Sequence, residues 1–221
     1  MSDIINVIEF FKEIGIGFVK KRESLENISV SKQDLMNDVL KDIYSCKKCG
    51  LFESKINYVP GEGSLNPDIM FIGEGPGENE DKTGRPFVGK AGELLTNLIK
   101  KTGYSRESVY IGNIVKCRPP GNRNPRIDEA AACLPFLKRQ IENLQPKVIV
   151  CLGRVALNYL LNNDESITKA RGKLFYYENI PVIPTFHPSY ILHQRTKQAI
   201  SDAKWKVWDD MQKVLEILGK K

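Results

Sequence analysis

A glycine-rich segment that carries several carboxylates is the first part of this chain suited to chemistry. It spans residues 73–92 and directly follows residues 68–72, an apolar run typical of a buried parallel strand. Open α/β folds build ligand sites where a strand leaves its sheet into such a loop. The loop contains Glu74, Glu78 and Glu80, whereas a phosphate cradle is expected to contain a lysine and few carboxylates. We therefore expect main-chain N–H groups and one or two carboxylates to contact a small flat ligand, with Glu78 exposed to solvent.

The spacing of the cysteines is the second chemical signal. Cys46 and Cys49 form a C-x2-C pair, and fifteen residues separate Cys117 from Cys133. Four thiolates can hold either a structural zinc ion or an iron–sulfur cluster. A zinc ribbon has two close cysteine pairs and this chain has one, so the spacing favours a [4Fe-4S] cluster that braces a loop. A zinc site and four unrelated buried thiols are the alternatives, and Cys151, inside an apolar run, is expected to be a core residue.

Two polar side chains stand at the ends of later predicted strands. His187, one of two histidines, follows an apolar run and precedes Pro188, which favours an extended backbone at His187. A histidine at a strand exit in a rigid loop is a candidate functional residue, whereas His193 is expected to be a solvated side chain. Asn113 lies in the predicted strand over residues 109–115. Taken alone, it is more simply interpreted as an ordinary asparagine near a strand end.

An alternation of strands and helices must position these side chains. It predicts an α/β domain over residues 41–221, with three α/β/α layers around a central, mostly parallel four-stranded sheet. Residues 1–40 are predicted to form an N-terminal helical extension. The predicted strands cover residues 68–72, 109–115 and 146–152 and a strand or hairpin at 174–178 and 181–185, and the predicted helices cover residues 31–44, 90–102, 128–143, 154–162 and 199–218.

The composition is ordinary for a globular domain. Hydrophobic residues make up 41% of the 221 residues and charged residues 27%. No apolar run approaches the roughly 20 residues that span a bilayer, and the N-terminus lacks a signal-peptide pattern, so we expect a cytoplasmic protein with few disulfides. The net charge of +6 is compatible with a polyanionic partner. Basic residues gather in loops at Lys116, Arg118, Arg123 and Arg126 and at Arg171, Lys173, Arg195 and Lys197.

These signals belong to four longer motifs. The motifs are Gly73-Glu74-Gly75-Pro76-Gly77-Glu78 with Glu80-Asp81, Thr83-Gly84-Arg85-Pro86-Phe87-Val88-Gly89, the segment Asn113 to Arg123, and His187-Pro188-Ser189-Tyr190. Together with the four cysteines, they resemble the family 4 uracil-DNA glycosylases, the iron–sulfur branch of that superfamily, over roughly residues 44–215. The resemblance implies an enzyme that swings uracil out of the DNA stack and hydrolyses its N-glycosidic bond. The abasic site left behind would enter base excision repair.

The resemblance also implies roles for the residues that would bind the base. Phe87 would stack on the flipped uracil, and Asn113 would pair with its edge. Main-chain N–H groups around Glu74 and Gly75 would bond the O2 side of the base. His187 would donate a hydrogen bond to uracil O2, where negative charge develops during bond cleavage.

A carboxylate near the sugar and a DNA-binding rim complete the implied site. Glu74 is favoured to stabilise the sugar cation or orient the attacking water, and Glu80 is the second candidate. The segment after His187 would enter the minor groove. The residues expected to contact phosphates are Lys116, Arg118, Arg123 and Ser189, and the expected apolar wedges are Ile191 and Leu192.

The implied cofactor and partners follow from the same resemblance. Cys46, Cys49, Cys117 and Cys133 would hold a structural [4Fe-4S] cluster. The partner would be uracil-containing DNA, single- or double-stranded, and we expect a monomer without membrane association. The resemblance leaves open whether residues 1–40 recruit a replication or repair partner.

Two other classes of function compete with this interpretation. A nucleotide- or phosphate-binding α/β protein would use the glycine loop, but the chain has neither a G-x-x-x-x-G-K-[ST] sequence nor the G-x-G-x-x-G spacing there. An iron–sulfur electron carrier or redox-sensing DNA-binding protein would explain the cysteines and the basic loops. It would leave Phe87, Asn113 and His187 without a role.

Overall fold

The computed structural model describes residues 31–220 and builds them around one six-stranded sheet. The strands are β1 (Glu62–Gly63), β2 (Ile69–Gly73), β3 (Tyr110–Asn113), β4 (Val148–Leu152), β5 (Phe175–Tyr177) and β6 (Ile180–Thr185). They lie in the order β1-β3-β2-β4-β6-β5. The inner four are parallel, and the two edge strands pair antiparallel.

Helices cover both faces of this sheet. They are α1 (Lys32–Tyr44), α2 (Leu51–Ser54), α3 (Glu78–Thr83), α4 (Lys90–Lys101), α5 (Ile127–Leu144), α6 (Arg154–Leu161), α7 (Ile167–Ala170), α8 (Pro188–Leu192) and α9 (Lys197–Ile217). Met70 and Ile72 of β2 pack in a cluster with α1, α5 and α6, while Ile69 and Phe71 pack in a second cluster with α4 and α9. Because successive strand residues face opposite sides, β2 is apolar throughout, and the predicted three-layer α/β/α fold is confirmed.

The order of the strands reverses between β2 and β4. The chain leaves β2 for β3 on one side and then returns through α5 to β4 on the other side of β2. The loops that follow β2 and β4 therefore diverge and leave a crevice at the carboxyl ends of the strands. Glu74 begins one of these loops and Gly153 begins the other.

The sheet has six strands rather than the predicted four. The additional strand β1 is two residues long, and Glu62 and Gly63 have no apolar pattern to indicate it. The hairpin over 174–185 is confirmed as β5 and β6, with β5 at the opposite edge. The short helix α3 lies inside the predicted acidic loop and was missed because its N-terminal flanking residue, Gly77, offers no capping side chain.

The predicted helix over residues 31–44 is confirmed as α1. Met36, Val39 and Ile43 on one face of α1 are buried in the core. The helical expectation for residues 1–30 lies outside the described residues. The division of the chain at residue 40 stays a prediction, although α1 runs without a break across that position. None of the helices within residues 31–220 has the length and apolar character needed to cross a membrane.

Candidate active site

A pocket of about 560 Å³ opens where four parallel strands end. Asn113 is the last residue of β3, Glu74 follows β2, Gly153 follows β4, and His187 lies just beyond β6. This volume suits a small-molecule or base-sized ligand. The sequence-predicted residues that share its wall are Glu74, Gly75, Glu80, Phe87, Asn113, Arg123, His187 and Ser189.

Asn113 presents an unpaired amide oxygen in this pocket. The residue is 1% exposed, and its Oδ1 has no hydrogen-bond partner within residues 31–220. A buried acceptor without a donor is costly, so the site favours a ligand that donates a hydrogen bond to Oδ1. The strand register places Gly73 opposite Asn113, and a Cβ atom at Gly73 would lie 2.5 Å from that oxygen. Gly73 therefore leaves room for the amide.

Phe87 forms an aromatic wall beside Asn113. Its backbone φ is 50°, a conformation that few aromatic residues adopt. A Cβ atom at Gly73 would lie 2.6 Å from the ring, and one at Gly92 would lie 1.9 Å from the Phe87 carbonyl oxygen. The ring centroid is 5.6 Å from that of His187, with the planes tilted by 37°. A planar base can stack on a ring in this position.

Arg106 holds the backbone of the Phe87 loop. Its guanidinium donates hydrogen bonds to the carbonyl oxygens of Pro86 and Phe87 and pairs with Glu62 at 2.7 Å. The Arg106 side chain is 12% exposed, so these charge-assisted bonds are only weakly screened by solvent. Sequence reasoning missed Arg106, because it lies outside the recognised motifs.

The hydrogen bonds of His187 determine which ring nitrogen is free. Nδ1 accepts a bond from the main-chain N–H of Ser189 at 3.1 Å and lies 2.7 Å from the Ser189 hydroxyl oxygen. In the neutral ring the proton is therefore on Nε2. Burial lowers the pKa of His187 to about 4, against the opposing effect of Glu80. At neutral pH the ring is thus a neutral donor, and Ser189, predicted as a phosphate contact, orients it.

Glu80 is fixed by three main-chain N–H groups. Its Oε1 accepts from Val88 at 2.8 Å and Gly89 at 3.0 Å, and its Oε2 accepts from Gly77 at 3.1 Å. These bonds join the start of α3 to the segment that follows Phe87. The carboxylate is therefore committed to holding two parts of the pocket wall together.

Glu74 lacks such partners within residues 31–220. Burial raises the pKa of its carboxyl group, and the positive charge of Arg154 opposes this shift. Arg154 is the first residue of α6 and lines the same pocket. Of the two carboxylates predicted for catalysis, Glu74 is the one free to meet water or a sugar.

Two residues that the sequence predicts as DNA contacts have buried side chains. Lys116 is 1% exposed, and its Nζ donates to the Asn113 carbonyl oxygen at 2.9 Å and to Gln140 Oε1 at 2.7 Å. Ile191 is 7% exposed and packs with Phe186 in a small core cluster. Neither side chain reaches the surface where DNA would lie.

The other predicted contacts lie nearer the surface. Arg118 donates to Asn122 Oδ1 at 2.8 Å, and Arg123 pairs with both carboxylate oxygens of Glu129, at 2.6 and 2.8 Å. Leu192 is 44% exposed at the end of α8. As DNA contacts, these three residues stay predictions.

The four predicted metal-binding cysteines line one cavity. Cys117 and Cys133 are buried, while Cys46 and Cys49 are partly exposed. Within residues 31–220, no group of three or more His, Cys, Asp or Glu side chains is arranged to hold a metal ion. Burial raises the pKa of Cys117 to about 12 and that of Cys133 to about 11. Cys151 is 0% exposed, which confirms it as a core residue.

An unpredicted carboxylate supports the strand that leads to His187. Asp210 on α9 is 1% exposed; it accepts a bond from the Thr185 hydroxyl at 2.7 Å and pairs with Arg171 at 2.8 Å. Burial raises the pKa of Asp210 to about 6, although Arg171 opposes the shift. Asp210 stands among the apolar residues on the buried face of α9, and this pattern in the sequence could have identified it as a structural carboxylate.

The fold is an α/β fold with a pocket at the carboxyl ends of its parallel strands, and Phe87 gives this pocket an aromatic wall suited to a planar ligand. The family model described as the uracil DNA glycosylase superfamily matches residues 60–212. The chain therefore belongs to the uracil-DNA glycosylase superfamily, in its type-4 branch.

Curated relatives support this placement. The chain is 47% identical over 182 residues to a type-4 uracil-DNA glycosylase of Sulfurisphaera tokodaii, covering 78% of this chain and 83% of the relative. It is 51% identical over 170 residues to a type-4 uracil-DNA glycosylase of Thermotoga maritima, covering 76% and 88%. A type-5 uracil-DNA glycosylase of Pyrobaculum aerophilum is 32% identical over 148 residues, covering 59% and 65%.

Proposed function

We propose that this protein releases uracil from DNA by hydrolysing the N-glycosidic bond and so initiates base excision repair. The observation that carries the proposal is the buried, unpaired Oδ1 of Asn113 in a pocket shared with Phe87 and His187. Uracil offers an N3–H donor, an O2 acceptor and a flat face. These groups are complementary to an amide acceptor, a neutral imidazole donor and an aromatic ring.

The side-chain amide of Asn113 discriminates between uracil and cytosine. Its Oδ1 accepts from uracil N3–H, and its Nδ2 donates to uracil O4. Cytosine has an acceptor at N3 and an amine at C4, so both hydrogen bonds would be lost and buried polar groups would stay unpaired. A site of this type rejects the wrong base more strongly than a purely apolar pocket does.

His187 and Glu74 act on the bond that breaks. Departure of the base leaves negative charge on uracil and positive charge on the sugar. The Nε2–H of His187 donates to uracil O2, and this hydrogen bond strengthens as the charge develops. The Glu74 carboxylate stabilises the sugar cation or orients the attacking water. Glu80 keeps the pocket wall in place through its main-chain bonds.

Cys46, Cys49, Cys117 and Cys133 are proposed to hold a [4Fe-4S] cluster. In such a cluster each thiolate binds a different iron, so the sulfurs stand farther apart than around one zinc ion. Four thiols that line one cavity are compatible with this requirement. The four cysteines that would hold it lie in the segment after α1, in the loop after β3 and on α5, so a bound cluster would cross-link these three parts of the chain.

The DNA partner would lie across the mouth of the pocket. Arg118 and Arg123 are proposed to contact phosphates, and Leu192 is proposed to fill the space that the flipped base vacates. We propose that the protein acts as a monomer on single- or double-stranded DNA that contains uracil.

An oligonucleotide assay tests this function. The protein is incubated with single-stranded and duplex DNA that contains one uracil, and abasic sites are then cleaved with alkali. We expect strand breaks at uracil and none in matched DNA with cytosine or thymine at that position. An absence of breaks with iron-loaded protein would contradict the proposal and favour the non-enzymatic class.

A further inference from the structure

A buried lysine joins the base-binding end of β3 to the cysteine cavity. Lys116 is 1% exposed and forms no salt bridge with a carboxylate within residues 31–220. A lysine in such a place is unusual, since a buried ammonium group normally has an ionic partner. Its contacts therefore indicate what it does.

The ammonium group of Lys116 is fixed by two acceptors. Nζ donates to the Asn113 carbonyl oxygen at 2.9 Å and to Gln140 Oε1 at 2.7 Å. Gln140 is itself fixed, because its Nε2 donates to the Pro60 carbonyl oxygen at 2.9 Å and to Tyr110 Oη at 3.0 Å. The position of Asn113 is thus tied through Lys116 to α5 and to the segment before β1.

The main chain of Lys116 contacts the cysteine site. Its N–H donates to Cys133 Sγ at 3.3 Å, and the next residue along the chain is Cys117. A Cys133 thiolate bound to a cluster would attract the positive charge of Lys116 at this short range. Four thiolates around an iron–sulfur core carry a net negative charge. A cluster in this cavity would therefore be the ionic partner that the buried ammonium group of Lys116 otherwise lacks among residues 31–220.

We propose that Lys116 is a positioning residue that couples the cysteine site to the base-binding amide of Asn113. Its ammonium holds the Asn113 main chain and is in turn stabilised by the negative charge of the cysteine site. The inference rests on the proposed uracil-releasing function and on a cluster bound by the four cysteines. It gives the cluster a defined connection to the pocket beyond the bracing of a loop.

The test compares Lys116→Met with Lys55→Met in the full-length, iron-loaded protein. Lys55 also acts electrostatically on the cysteine site, through Cys117, but it lies over the Tyr58 ring rather than against Asn113. For Lys116→Met we expect a more negative reduction potential of the cluster, since a buried positive charge is lost, and single-turnover uracil release at least about tenfold slower. For Lys55→Met we expect release within about twofold of wild type, because Lys55 lies over the Tyr58 ring and is not among the described residues that line the pocket.

A second variant, Lys116→Arg, distinguishes the effect of the positive charge at residue 116 from the effect of where its donor group lies. It also provides a test if Lys116→Met does not fold. Lys116→Arg keeps the charge but replaces a compact ammonium with a planar guanidinium, so we expect a potential near that of wild type and slower release. A wild-type rate in either Lys116 variant, an unchanged potential in Lys116→Met, or wild-type protein without iron would overturn the inference. If wild type releases no uracil, the proposed function is wrong. The reduction potentials then still test whether the charge of Lys116 acts on the cysteine site.

Discussion

The guanidinium of Arg106 donates a hydrogen bond to the carbonyl oxygen of Phe87 across 3.0 Å. The positive φ of Phe87 places this aromatic residue in a conformation that costs about 1–3 kcal/mol. Such a conformation persists only where neighbours enforce it, and Arg106 and Gly92 are the neighbours in contact with the Phe87 carbonyl. The aromatic wall of the pocket is therefore held in part by Arg106, which lies outside the segment over residues 73–92.

Replacing Arg106 is expected to disturb this wall. Arg106→Gln should slow single-turnover uracil release by about threefold to tenfold, because small displacements of a positioning group are costly to the rate. Arg85→Gln is the matched control: Arg85 also pairs with Glu62 but is 61% exposed, and we expect a rate within about twofold of wild type. Equal effects of the two substitutions would show that loss of the Glu62 pair, rather than of the Phe87 contact, is responsible.

Asn113 and His187 are expected to contribute to the rate far more than to stability. Asn113→Ala and His187→Ala should each slow single-turnover release by at least about tenfold, or roughly 1.4 kcal/mol. Because Oδ1 of Asn113 has no hydrogen-bond partner among residues 31–220, Asn113→Ala should leave thermal unfolding nearly unchanged. The exposed Asn66 provides the control substitution to alanine. Near wild-type rates for both variants would overturn the site assignment.

The sequence predicts the sheet well where strands are apolar on both faces. β2 and β4 are continuous apolar runs because each is covered by helices on two sides. Residues directly after such strands converge by geometry, and so Glu74, Asn113 and His187 share one pocket. Local pattern predicted the strands and their ends, whereas the resemblance to the family 4 uracil-DNA glycosylases was needed to select Asn113 as a base-binding residue.

Side-chain direction in the loop after β3 was not predictable in the same way. Lys116 lies next to prolines and arginines in the sequence, which indicates an exposed side chain. In the structure its carbonyl oxygen accepts a hydrogen bond from Val59 N–H, and its Nζ donates one to Gln140 Oε1. Both partners are distant in sequence. Arg106 was missed for the same reason, since its target at Phe87 is defined only once α4 packs.

Substitution of Glu74 is expected to affect the reaction rate, whereas substitution of Glu80 is expected to affect the stability of the fold. Glu74→Gln should slow uracil release by about a hundredfold or more, because the carboxylate charge near the sugar is lost, with little change in unfolding. Glu80→Gln should instead reduce the free energy of unfolding by about 1–3 kcal/mol, since one of its oxygens becomes an NH2 group facing a main-chain N–H. Kinetics and urea unfolding of the two variants provide the comparison, and the reverse pattern would exchange the two roles.

The cysteines differ in what their removal should do to bound iron. Cys133→Ser is expected to lower the iron content and the broad visible absorbance of the purified protein, because a thiolate ligand is lost. Cys151 is the matched control: it is buried in β4, away from the cysteine cavity, so Cys151→Ala should retain wild-type iron. Undiminished iron in Cys133→Ser would remove this residue from the proposed set of ligands.

The pH dependence of uracil release should follow the ionisation of Glu74 rather than that of His187. Burial raises the pKa of Glu74 above its ordinary 4.5, and the carboxylate must be ionised to act, so the rate should rise with pH through a value above 4.5. His187 has a pKa lowered to about 4, and it is therefore already neutral across that range and adds no step near 6.5. The measurement is the single-turnover rate from acidic to neutral pH in wild type and Glu74→Gln. The rising limb should be absent from Glu74→Gln, and a limb that persists there would assign the titration to another group.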